Sequence, residues 1–278
     1  MESLDDNGKM LYLTLEKAPQ LTGLGPWMGV VVGEKHVDSD YPEDKQAEEV
    51  AVLAQDAETA DAGAPRHTGV VDENGFCRDL LVVQGTGVAM VARQVPVNGN
   101  ALFSSTVASQ KYIETRDHPV VSASEIEREA KQLREKTMDY LTDAYKANEQ
   151  VYLQGESMPA RQFIAAQAHA NSMADGDEYL QAMRDDTKWG GGGEVVGLTH
   201  VLKRPVHVYE LQSTGRRFGL KIIGMFGAPL YSAVEPIHLL STYARFPDLD
   251  PGTQTTAGNH YVALFLSDDV PDKNKGKL

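Results

Sequence analysis

Hydrophobic positions along this 278-residue chain follow a strand-like period toward both ends and a helical period in the middle. Met10-Leu-Tyr-Leu-Thr-Leu-Glu16 and Met28–Gly33 predict two early strands, the first rich in residues that suit a pleated surface. Strand character returns in Gly69–Asp72, Asp79–Gln84 and Val88–Val95. The turn sequences Asp72-Glu-Asn-Gly75 and Gly85-Thr-Gly87 separate these runs, which fits two meander hairpins. Leu102 to Arg116 contains no helix breaker and predicts a helix. Ser124-Glu-Ile-Glu127 reads as a capping box. After it, Ile126, Ala130, Leu133, Thr137, Leu141 and Ala144 recur at spacings of three and four, predicting an amphipathic helix to about Tyr152. Ser157-Met-Pro159 predicts the start of another helix, ending near Asn171, and Asp177–Arg184 a shorter one. Glu194–Lys203 follows, stopped by Lys203-Arg204-Pro205. Val206–Glu210, Leu220–Phe226, Ile237–Leu240 and His260–Leu266 then predict four strands, with a long loop at Ser241–Asn259. Helices followed by consecutive strands point to an α+β, layered α/β architecture.

Composition interrupts this pattern at one place. His36 to Arg66 is rich in Asp, Glu and Ala and contains Pro42 and Pro65, so we expect a solvated acidic insertion with at most a short helix around Asp44–Gln55. The organisation expected is a β-rich N-terminal extension over 1–87, with that insertion at about 36–67, a main domain over 88–267, and a polar tail over 268–278. No apolar run approaches the ~18 residues of a membrane span, and residues 1–6 lack a signal-peptide pattern. The formal charge of −14 argues against a nucleic-acid partner, whose phosphates need a basic surface. The single cysteine, Cys77, excludes an internal disulfide and a thiolate zinc cluster. The histidines lack metal-ligand spacing, so neither a metal nor a cofactor is expected. A reducing intracellular compartment, cytoplasm or nucleus, is the simplest expectation.

Candidate chemistry centres on Pro96-Val-Asn-Gly-Asn-Ala-Leu-Phe103, a turn between a predicted strand and a predicted helix. Backbone N–H groups point outward at a helix start, and the dipole there favours an anion such as a thiolate. Alanine occupies that start. Cys77 follows a turn and precedes a strand, which suits a packed structural thiol better than a nucleophile. Trp189 followed by Gly190-Gly-Gly-Gly193 and Glu194 permits close backbone approach but lacks the spacing of a phosphate loop.

Three blocks in this order resemble the ovarian-tumour (OTU) family of cysteine proteases, whose members cleave ubiquitin from proteins. Residues 96–103 resemble the family's Asp-Gly-x-Cys-Leu-Phe segment. Trp189-Gly190-Gly191 through Glu194, with the helix and strand that follow, resembles its Trp-Gly-Gly-x-x-Glu helix. Asn259-His260-Tyr261 resembles its His-Tyr segment. The resemblance spans roughly residues 88 to 267 and implies a papain-related fold, a central sheet flanked by helices. It places the nucleophile position at Ala101 and the general base at His260. Asn98 or Asn259 would orient the ring, and the backbone of Asn98, Gly99 and Asn100 would hold an oxyanion. Trp189, Gly190, Gly191, Glu194 and Tyr261 would be groove or structural residues.

Three departures accompany the match. Ala101 stands at the cysteine, Asn98 at the aspartate, and Val262 at the position two past the histidine, where an Asp or Asn often orients it. The resemblance implies a deubiquitinase whose cysteine has been replaced by alanine, inactive as it stands. The alternative is a natural pseudoprotease that serves as a ubiquitin-binding or assembly module. Either way the implied partner is ubiquitin or a ubiquitin-like protein; the oligomeric state is not legible.

Overall fold

The computed structural model describes residues 71–72, 74–116, 123–213, 218–244, 246–247 and 260–267. The early strands, the acidic insertion, Asn259 and the C-terminal tail lie outside the described residues. The elements in chain order are β1 Phe76–Val83, β2 Ala89–Arg93, α1 Ala101–Thr115, α2 Ala123–Ala147, β3 Gln150–Tyr152, β4 Ser157–Pro159 and α3 Ala160–Ala170. There follow α4 Gly176–Ala182, α5 Gly192–Leu202, β5 Val206–Ser213, β6 Phe218–Phe226, α6 Ala228–Tyr231, β7 Ile237–Thr242 and β8 His260–Leu266.

The main sheet runs β1-β2-β8-β7-β5-β6 and closes on itself through a short parallel contact in which Val82 pairs Gly219 and Val83 pairs Leu220. β5 and β7 are parallel, and the remaining neighbours are antiparallel. β1, which precedes residue 88, is thus a member of the same sheet. Strand alternation explains the division of the core. Ile237, Leu239 and Tyr261 face the helices and pack with Leu102, Phe103, Met138, Leu141, Val195 and Leu198. Their neighbours Leu240, Val262 and Leu264 face the enclosed interior with Leu81, Met90, Ala92 and Leu211. α1 also lies across the outer face of β8 and β1, where Ala108 and Tyr112 meet Ala263, Phe265 and Phe76. Cys77 is buried inside the closed sheet, as a packed thiol should be.

The local differences from expectation have physical causes. α2 stops at Ala147, short of Tyr152, because Asn148 takes a left-handed conformation with φ 53° and ends the helical ladder. Gln150–Tyr152 instead pairs with Ser157–Pro159 as a small hairpin, with Val151 opposite Met158. Ser157-Met-Pro159 is therefore a strand, and Pro159 caps α3 without being part of it. α2 already begins at Ala123, so Ser124 lies in its first turn and is not a capping residue.

Candidate active site

β2 and β8 are antiparallel neighbours, with Arg93 opposite Ala263. The chain leaving β2 toward α1 therefore runs beside the start of β8. That adjacency brings the turn at 96–103 and His260 to one end of the sheet. Within the turn the Asn98 carbonyl accepts from the Ala101 N–H at 3.0 Å, and Asn98 Oδ1 accepts from the Asn100 N–H at 3.0 Å. Gly99 is pressed against the segment before Trp189, where a Cβ would come within 2.3 Å of the Asp186 carbonyl oxygen. Only glycine fits so close an approach.

Arg134 fixes this turn from below. Its side chain is 1% exposed and lies over the Phe103 ring at 4.5 Å. Nε donates to Asn100 Oδ1 at 2.7 Å, while Nη2 donates to the carbonyls of Gly99 at 2.7 Å and Lys188 at 2.8 Å. Nη1 donates to the Met183 carbonyl at 2.8 Å. The planar fork of a guanidinium can serve several acceptors at once. Burial lowers its proton affinity, while Glu194, Asp186 and Asp185 oppose that shift.

Gly190 packs against the start of α1, and Gly193 against Tyr179. A Cβ on Gly190 would meet Leu102 Cδ2 at 2.7 Å. Glu194, buried in the first turn of α5, accepts from the Gly191 N–H at 2.7 Å and from the Tyr179 hydroxyl at 2.6 Å. Those two bonds lock the glycine run onto the helix. Trp189, 37% exposed, is held edge-on to the His260 ring with centroids 6.4 Å apart.

His260 opens β8 opposite Thr242 and is fully buried. Its Nε2 lies 3.4 Å from Gln94 Oε1. Its Nδ1 has no partner among the described residues. Burial pushes its pKa down to about 4, so the ring is neutral near pH 7. Tyr261, the next residue, points the opposite way into the helix-facing core with Ala101, whose methyl is also fully buried.

The model match decides the family: residues 96–241, more than half of the chain, match the model described as OTU-like cysteine protease. The chain belongs to the OTU family. Its fold is an OTU-like α+β arrangement of helices on a mixed sheet. No curated protein sequence matches the chain. Among solved structures it is similar to the OTUD1 OTU domain, at 15% identity over 63% of this chain and 85% of that one, with a TM-score of 0.38. It is also similar to the Hazara virus OTU bound to ubiquitin, at 18% identity over 69% and 88%, TM-score 0.35. A third is the OTU deubiquitinase of Wolbachia pipientis wMel bound to ubiquitin, at 16% over 64% and 97%, TM-score 0.33.

Within this OTU domain the polar groups of the turn are largely engaged. Asn98 does not orient the histidine: its Nδ2 donates to Glu127 Oε1 at 3.1 Å, and its Oδ1 holds the Asn100 N–H. The N–H groups of Asn98, Asn100 and Ala101 are all bonded within the turn. Gly99 keeps the one N–H of residues 98–101 that is not so engaged. Val262 is buried in the enclosed core.

Two residues escaped the sequence reading. Arg134 carried a signal, a lone cation on the apolar stripe of α2 between Ala130 and Met138. Gln94 carried a weaker one, as the polar end of the inward alternation Met90, Ala92, Gln94. The site as it stands offers a neutral buried histidine whose Nδ1 has no partner among the described residues, a turn held by Arg134 at a helix N-terminus, and a buried methyl group at position 101. Among the described residues, no group of three or more His, Cys, Asp or Glu side chains is placed to hold a metal ion. Nor is any described helix long and apolar enough to cross a membrane.

Proposed function

We propose that this chain has the frame of a ubiquitin-directed thiol isopeptidase and that Ala101 leaves it unable to cleave. The observation carrying the reading is the buried, neutral His260, whose Nδ1 has no partner among the described residues, beside a turn held rigid by Arg134. With a cysteine at position 101, His260 would take the thiol proton and the thiolate would attack the carbonyl of a Gly–Lys isopeptide bond. The Gly99 N–H would stabilise the oxyanion, and a single such donor is worth about 3–4 kcal/mol in comparable chemistry. His260 would then protonate the departing lysine amine, leaving a thioester that water hydrolyses. A methyl at 101 has no lone pair, so the first bond does not form. The family implies ubiquitin or a ubiquitin-like protein as the partner.

A second reading is a natural pseudoprotease that binds without cleaving. The engagement of Asn98 with Glu127, together with the apolar Val262, favours it, since neither family position supports the base. Reaction of the Ala101→Cys variant with a ubiquitin-derived electrophilic probe separates the two. Labelling supports the first reading. A folded variant that binds ubiquitin without being labelled supports the second.

A further inference from the structure

We infer that Gln94 is the positioning residue for His260, taking the place of the acidic or amide side chain that the family keeps on the histidine's own strand. The inference rests on the functional reading above for its consequence, and on geometry alone for its premise. Gln94 lies one residue past β2, and its backbone N–H donates to the Gly75 carbonyl at 2.8 Å, which fixes where the side chain starts. Its Nε2 donates to the Phe246 carbonyl at 2.5 Å. A backbone carbonyl only accepts, so the amide nitrogen must face Phe246 and the amide oxygen must face away from it. That oxygen, Oε1, lies 3.4 Å from His260 Nε2. An amide oxygen also only accepts. The proton of neutral His260 therefore belongs on Nε2, and the lone pair on Nδ1.

This assignment explains an otherwise odd feature, the buried Nδ1 without a partner among the described residues. Among the described residues, it is the nitrogen left to accept a proton. Phe246 fixes the amide, the amide fixes the tautomer, and the tautomer presents the basic nitrogen. Of the two residues the resemblance offered to orient the ring, Asn98 is engaged elsewhere and Asn259 lies outside the described residues, while Val262, two past the histidine, is apolar. A neutral amide also differs from a carboxylate in one respect. It orients the ring but adds no charge to stabilise the imidazolium.

The test reads the tautomer in the chain as it exists. Nitrogen NMR of the ¹⁵N-labelled protein near pH 7.5 should show His260 as the Nε2–H form, and Gln94→Leu should shift it toward a mixture or the Nδ1–H form. Gln94→Glu, which keeps an acceptor, should retain the Nε2–H form. In the Ala101→Cys background, Gln94→Leu should slow probe labelling by about tenfold or more, a fraction of the ~10²–10⁴ that a positioned base supplies, and Gln94→Glu should recover most of it. An Nδ1–H tautomer in the unmodified protein overturns the inference, and this holds even if the Leu variant fails to fold. So does an Nε2–H form unmoved by Gln94→Leu. If the tautomer responds to Gln94 but the Ala101→Cys protein is never labelled, the isopeptidase reading fails and the positioning role stands.

Discussion

At the scale of single residues the site is set by what each side chain is prevented from doing. His260 is kept neutral by burial. Its folded pKa of about 4 lies below the ordinary value of 6.5, so the unfolded chain binds the proton more readily. Stability from this residue is complete above about pH 6.5 and is lost as pH falls toward 4. The loss should reach on the order of 3 kcal/mol at the acid end. His238, pushed down to about 4, and His200 and His207, also lowered by burial, act in the same direction. Melting temperatures from pH 7 to 4 should therefore fall steeply, and His260→Gln should make the fall shallower. Gly99 is a second case. Adding one methyl group there meets the Asp186 and Thr187 backbone, which has little room to move. Gly99→Ala should cost about 1–3 kcal/mol in urea unfolding, the range for overpacking a tight site. The sequence pointed to both residues through the motif, but not to their environments. Burial of His260 follows from closure of the sheet, which no local pattern encodes.

At the scale of elements, α2 matters most to the loop although it carries none of the motif. Arg134 joins α2 to the turn before α1, to Met183 after α4 and to Lys188 before Trp189. Replacing it with Ala leaves three carbonyls and the Asn100 side chain without their donor. We expect a loss of ~3 kcal/mol or more, as when one partner of a buried charge network is removed. Lys offers a single head group in place of a fork, so Arg134→Lys should recover only part of that loss. Chemical denaturation of both variants measures it. The elements themselves were largely legible: the breaker-free run Leu102–Arg116 matches α1 to within a residue at each end, and the predicted strand His260–Leu266 is β8. The errors fell where tertiary pairing overrode local preference. The stretch after Ala144 reads as a continuing helix, yet Gln150–Tyr152 is claimed by Ser157–Pro159 as a hairpin. The partner of the histidine was illegible for a similar reason. Gln94 and His260 are 166 residues apart, and the pairing of β2 with β8 brings them together.

At the scale of the whole molecule, the sheet and helices of the OTU-like fold bring the 96–103 turn and His260 to one end of the sheet. α1 places position 101 at its N-terminus, β8 brings His260, and Trp189 lies edge-on to the His260 ring. On the proposed reading, one side chain separates this chain from a reactive one. Installing that side chain is the most direct measurement. The Ala101→Cys protein, incubated with a ubiquitin-derived electrophilic probe, should gain one covalent ubiquitin by intact mass. The unmodified chain, with only buried Cys77, should gain none. A folded Ala101→Cys protein that stays unlabelled would contradict the claim that this site retains the frame of a thiol isopeptidase.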